Sequence, residues 1–134
     1  MNTLLGNIVT IQTYEALSLV KVAVKDIVFT SIVIDTPETS DYLKTGANVK
    51  LYFKETEVSI SKDTQLSISI QNKIVCTITA IMQGKLLSQI NLSFGGLEIK
   101  SIITTDSCNK LNLKENDSIL ALIKTNEISL SPHD

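Results

Sequence analysis

A shift of seventy residues lays this chain on itself without a gap. Asn2 falls on Asn72, Ile8 on Ile78, Ile11 on Ile81, Leu17-Ser18 on Leu87-Ser88, Ser31-Ile32 on Ser101-Ile102 and Leu43-Lys44 on Leu113-Lys114. Lys54, Glu57, Ser59 and Ser61 fall on Lys124, Glu127, Ser129 and Ser131, which makes thirteen identities in one register. A fixed offset of this length means two copies of one small folding unit. The copies are placed at residues 1–62 and 67–134, with residues 61–66 as linker. A unit of about sixty residues buries a limited core and is marginal alone. The copies should therefore pack on each other, on other subunits, or both.

Within each copy the alternation is that of strands. Val20, Val22 and Val24 share one face while Lys21, Ala23 and Lys25 share the other. Strands are expected at residues 4–11, 17–24, 27–34, 49–54 and 57–60, and at the equivalent places of the second copy. Gly95-Gly96 between two apolar runs is a two-residue hairpin signal, since both glycines tolerate positive φ. Lys25-Asp26 stands there in copy one, a poorer turn that invites a different loop geometry. Thr105-Asp106-Ser107 offers capping groups for a short helix near residues 108–111, and Pro37 begins an equivalent turn in copy one. Residues 131–134 read as a tail. The expected fold is all-β: two tandem OB-like Greek-key barrels, each with one short helix.

Composition removes several classes of function. His133 is the only histidine, which excludes Ser-His-Asp and Cys-His catalysis and histidine-based metal sites. Cys76 and Cys108 lack metal-ligand spacing and read as buried reduced thiols. The net charge of −2 gives no basic footprint for nucleic acid, and the absence of Trp argues against a base-stacking platform. Mean hydropathy is positive, yet no apolar run approaches the ~20 residues of a membrane span. No signal peptide is legible, so the expected compartment is the cytoplasm. A hydrophobic, lightly charged chain is expected to hide surface in a homo-oligomer.

The segments carry a family resemblance. Ser69-Ile70-Gln71-Asn72-Lys73-Ile74 resembles the Ser-Ala-Arg-Asn-x-Leu opening of molybdate-binding Mop domains, which belong to the TOBE group. Residues 102–107, Ile-Ile-Thr-Thr-Asp-Ser, resemble their Ile-Thr-x-x-Ser segment, and residues 113–117 their Leu-Lys-Glu-Gly-Asp. Residues 121–128 resemble Ala-Val-Ile-Lys-Ser-Thr-Glu-Val, and residues 51–58 repeat that motif in copy one. The resemblance covers nearly the whole chain and points to molbindins, which are built from two Mop units.

Molybdate is a tetrahedral dianion whose oxygens only accept hydrogen bonds, so its site needs N–H groups, hydroxyls and a cation. A donor-only lining also disfavours hydrogen phosphate, whose own O–H needs an acceptor. The resemblance implies an oxyanion site of Ser69, Gln71, Thr104, Ser107, Lys124 and Thr125, built between chains. Gln71 stands where the family has Arg, and Cys76 where it has Gly, as Gly6 does in copy one. Copy one reads as degenerate. Met1 aligns with Gln71, leaving no counterpart of Ser69, and Ile34, Pro37 and Glu55 replace Thr104, Ser107 and Thr125. A mixed site using Lys54 with Ser69 stays open. Glu57 and Glu127 read as structural strand-end carboxylates, because a dianion excludes them.

The function expected is non-catalytic cytoplasmic binding of molybdate or tungstate for storage, buffering or homeostasis. The partners are the anion and further copies of the chain, a trimer favoured over a dimer, with neither nucleic acid nor membrane. The competing reading is an anion-free structural or regulatory interaction module. An oligonucleotide-binding OB protein and an enzyme rank below both.

Overall fold

The computed structural model describes residues 1–133; Asp134, the end of the expected tail, lies outside them. Its elements repeat at the same offset. In the first copy these are β1 (Asn2–Tyr14), β2 (Leu17–Val24), β3 (Ile27–Val33), β4 (Asn48–Phe53), a 3-10 turn (Glu55–Glu57) and β5 (Ser59–Ser61). The second copy runs β6 (Asn72–Gln83), β7 (Leu87–Phe94), β8 (Leu97–Thr104), α1 (Thr105–Lys110), β9 (Ser118–Ile123), a 3-10 turn (Thr125–Glu127) and β10 (Ser129–Pro132). No helix among the described residues is long and apolar enough to cross a membrane.

The compact units cut across the sequence copies. The first comprises Met1, Thr3–Phe53 and the residues from Lys124 onward; the second comprises Asn2 and Lys54–Ile123. Each is built on one five-stranded sheet, in the orders β10-β4-β1-β2-β3 and β5-β9-β6-β7-β8. The last strand of each sheet is thus supplied by the other copy. β5 pairs antiparallel with β9, Ile60 opposite Ala121, and β10 pairs with β4, Leu130 opposite Leu51. In place of copies 1–62 and 67–134, each folded on its own strands, the chain leaves one barrel after β4 and the other after β9. The expected tail is part of this exchange. Ser131 and Pro132 pair with Lys50 and Val49, and the His133 N–H donates to the Asn48 carbonyl at 3.1 Å. A proline is tolerated there because β10 is an edge strand.

The first barrel follows from the alternation. β2 buries Ser18, Val20, Val22 and Val24 on one face, and Ile8, Phe29, Leu51 and Phe53 complete an almost dry interior. β1 carries a bulge between Ile8 and Thr10, where Ile8 bonds instead with the loop before β4: its N–H donates to Ala47 O, and Gly46 N–H donates to Ile8 O. The edge strands β3 and β10 approach each other, so the sheet curls on itself. The β2–β3 hairpin keeps the two-residue length, Val24 opposite Ile27, with Lys25 at a φ of 56°.

The second barrel repeats the design around Ile78, Ile90, Leu92, Ile119 and Ile123. Its bulge lies between Ile78 and Ala80, and β5 approaches β8. Gly95 and Gly96 take φ of 53° and 80° in the expected tight turn. The short α-helix after the third strand forms here alone. α1 buries Thr105 and Cys108, whereas copy one has Asp35 and Glu38 at those places. Without an apolar anchor copy one makes one turn, with Thr36 O accepting from the N–H groups of Thr39 and Ser40.

Candidate functional site

The implied oxyanion set divides between the two units. Ser69, Gln71, Thr104 and Ser107 belong to the second, together with Lys54 and Glu55; Lys124 and Thr125 belong to the first. Of the two lysines in the implied set, the one that shares the second unit with the hydroxyls is therefore Lys54, from the opposite sequence copy.

Ser69 and Gln71 stand at the entry to β6, at the end of a segment laid over the second barrel. That segment is tacked down by Lys62, whose ammonium pairs with the Asp117 carboxylate at 3.7 Å and donates to the Asn112 carbonyl at 3.3 Å. Asp63 turns the chain by accepting from Gln65 N–H at 3.0 Å. The Lys73 ammonium donates to Leu66 O at 3.4 Å. Ser69 and Gln71 are both exposed.

Thr104 and Ser107 meet directly. Thr104 is the N-cap of α1, one residue before the expected capping group. Its hydroxyl oxygen accepts from Ser107 N–H at 3.0 Å and donates its own proton to Ser107 Oγ at 2.9 Å. Thr104 is thereby committed to the turn, which leaves Ser107's hydrogen as the outward donor. Sequence reading missed this division of labour, although the spacing of a Thr three residues before a Ser could have shown it. Thr105 locks the helix to the β6–β7 loop: its N–H donates to Leu86 O at 2.9 Å and its hydroxyl to Gly84 O at 2.8 Å.

Lys54 and Lys124 begin their 3-10 turns. A lysine side chain cannot accept a hydrogen bond, so the capping runs one way, from the third residue of the turn. Glu57 accepts from Lys54 N–H at 2.9 Å, and Glu127 from Lys124 N–H at 3.4 Å. Both glutamates are thus structural. Bonding each carboxylate to its lysine's own backbone leaves both exposed ammonium groups outside these caps. The turn after Lys54 packs on β8, and the turn after Lys124 on β3. The second unit thus carries the Thr104 hydroxyl at the end of the strand beside Lys54 and Glu55; the first carries Ile34 just past the end of the strand beside Lys124 and Thr125.

The chemistry available is donation of hydrogen bonds and positive charge, which suits an anion. Among the described residues, no group of three His, Cys, Asp or Glu side chains could hold a metal ion. Burial pushes the Cys76 thiol up to about 12, so it is an inert core group.

Comparison with known proteins bears on the lineage. The TOBE domain model matches residues 68–130. Molybdenum-pterin-binding protein 3 of Clostridium pasteurianum is 30% identical over 66 residues, covering 48% of this chain and 97% of the relative. The chain belongs to the Mop/TOBE family. The molybdate-bound structure of the cytoplasmic molybdate-binding protein ModG shares the fold of this Mop/TOBE chain along nearly its whole length. Its TM-score is 0.92 at 23% identity, covering 98% of this chain and 96% of that one. A molybdate-binding protein of Sporomusa ovata is 34% identical over 44% of this chain and 88% of its own, with a TM-score of 0.43.

Proposed function

We propose that this Mop/TOBE protein binds molybdate or tungstate without catalysis, as a cytoplasmic store, buffer or homeostatic carrier, and that it works as a homo-oligomer, a trimer favoured over a dimer. The observation that carries the reading is the donor set of the second unit. Ser69, Gln71, the Ser107 hydroxyl oriented by Thr104, and Lys54 sit on one barrel, in a family whose relatives are molybdenum-pterin- and molybdate-binding proteins. Lys124 and Thr125 are the corresponding donors of the first unit. A full site draws on both sets, and the resemblance implies that they meet between chains.

The test is thermal melting with and without millimolar molybdate, tungstate, sulfate and phosphate. A ligand that binds only the folded state stabilises it by about 2.7 kcal/mol at one hundred times its Kd. A raised midpoint with molybdate and tungstate but not phosphate, lost in Lys124→Ala, is the expected outcome. Equilibrium dialysis at micromolar molybdate with no retained metal would sink the reading.

A second reading, an anion-free interaction module, draws on the first unit. There Ile34 stands in place of Thr104 and is 81% exposed, an apolar group where a donor is needed. It predicts a melting midpoint indifferent to every oxyanion.

A further inference from the structure

The β1–β2 and β6–β7 hairpins occupy equivalent places in the two units, yet their tips are inverted in shape and in charge. The first reads Tyr14-Glu15-Ala16-Leu17 and the second Gly84-Lys85-Leu86-Leu87. The largest side chain of one stands at the smallest of the other, twice over: Tyr14 against Gly84, and Ala16 against Leu86. Between them an acid, Glu15, answers a base, Lys85.

The side chains of the bulky members face solvent: Tyr14 is 78% exposed and Leu86 82% exposed. Beside Gly84 lies an open groove of about 400 Å³ lined by the apolar Met82, Leu87 and Ile102 and the polar Gln83, Ser88 and Gln89. Its counterpart beside Tyr14 holds about 190 Å³. The hole is enforced by the backbone, because a Cβ on Gly84 would lie 2.5 Å from Leu87 O. An exposed aromatic and an open groove with apolar and hydrogen-bonding walls, flanked by opposite charges, are the parts of an interface hot spot.

We propose that the first hairpin tip of one chain docks on the second hairpin tip of another copy of this chain. Tyr14 enters the groove beside Gly84, Leu86 covers Ala16, and Glu15 faces Lys85. Like-to-like pairing is disfavoured on both counts. Two first tips bring Tyr14 onto Tyr14 and Glu15 onto Glu15, and two second tips leave the grooves empty and set Lys85 against Lys85. Every chain offers one knob and one hole, so the contact is complementary and closes either as a reciprocal two-fold pair or as a ring. The proposal rests on the homo-oligomer part of the functional reading and is independent of the anion.

Sedimentation velocity over a concentration series tests it. Wild type is expected to sediment above the monomer mass. Glu15→Lys and Lys85→Glu should each weaken assembly on the order of tenfold, and the double exchange should restore it. Tyr14→Ala should weaken it on the order of thirtyfold. The altered residues lie at exposed tips, and circular dichroism of each variant checks that it is folded. Rescue by the double exchange is a result that loss of fold cannot mimic. A wild type that stays monomeric, an assembly indifferent to the single charge changes, or a double exchange that fails to restore it would each overturn the proposal. A monomer still protected by molybdate would do so while leaving the anion reading intact.

Discussion

The hydroxyl of Ser31 donates to the carbonyl of Ile128 at 2.7 Å, across 97 residues of sequence. Its counterpart seventy residues on, Ser101, donates to the Val58 carbonyl at 2.6 Å. Each bond runs from the third strand of a barrel to the residue just before the strand contributed by the other copy. These serines fasten the exchanged segments where the curled sheet meets itself, and both are fully buried.

Removing either hydroxyl leaves a carbonyl facing an apolar gap. Ser31→Ala and Ser101→Ala should each destabilise the fold by about 1–3 kcal/mol. Urea denaturation should show a lowered midpoint for both. An unchanged midpoint in both would mean that the seam is held by strand pairing and packing alone.

Gly6 and Cys76 share a position but not a tolerance. A Cβ on Gly6 would lie 2.6 Å from Ala23 O, 2.7 Å from Val22 Cγ1 and 2.9 Å from Val24 Cγ2. The second barrel has Leu92 and Phe94 in place of those β-branched valines, and accepts Cys76 at 1% exposure. Gly6→Ala should therefore destabilise by roughly 2 kcal/mol or more through overpacking. A melting midpoint within a degree of wild type would show that β2 moves away freely.

Burial of Cys76 makes stability depend on alkaline pH. Desolvation raises the thiol from 9.0 to about 12 in the folded state. The raised folded value means that the contribution is fully present below pH 9 and is lost as pH rises from 9 towards 12, where the unfolded chain releases its proton and the folded chain keeps it. Tyr42, raised by burial and then by Asp35 and Tyr52, adds a fall of the same sign above its ordinary value. Relative to Cys76→Ala, wild type should lose about 1.4 kcal/mol per pH unit in that window. Urea titrations of both proteins at pH 8 and pH 11 isolate the thiol; parallel losses would show that it titrates alike in both states.

Much of the fold was legible because period-two alternation and a seventy-residue offset act together, and β2 and the Gly95-Gly96 turn fall where the pattern puts them. The structural role of Glu57 and Glu127 was also legible, from the incompatibility of a carboxylate with a dianion. The exchange of β5 and β10 was not. Two barrels folded on their own strands and two barrels trading their last strands use the same residues in the same order, so only pairing distinguishes them. That hidden exchange alters the candidate site. It gives the second unit Lys54 and Glu55, and the first unit Lys124 and Thr125, so the fully matched donor set of copy two is not assembled on one barrel. The single-copy helix was half legible: Cys108 is apolar where Glu38 is charged, and that contrast decides which segment coils.

On the proposed reading, Glu55 is the residue through which the exchange limits anion affinity. It follows Lys54 on the barrel that also carries Thr104 and Ser107, at the place where Thr125 follows Lys124. A carboxylate near a dianion repels it, and a hydroxyl at the same place donates to it. Glu55→Thr gives the second unit the Lys-Thr pair of the first. It should tighten molybdate on the order of tenfold, about 1.4 kcal/mol. Isothermal titration of wild type and variant against molybdate measures this directly. Weaker binding in the variant would mean that Glu55 helps to position its neighbours. Equal binding would mean that the Glu55 carboxylate is turned away from the anion.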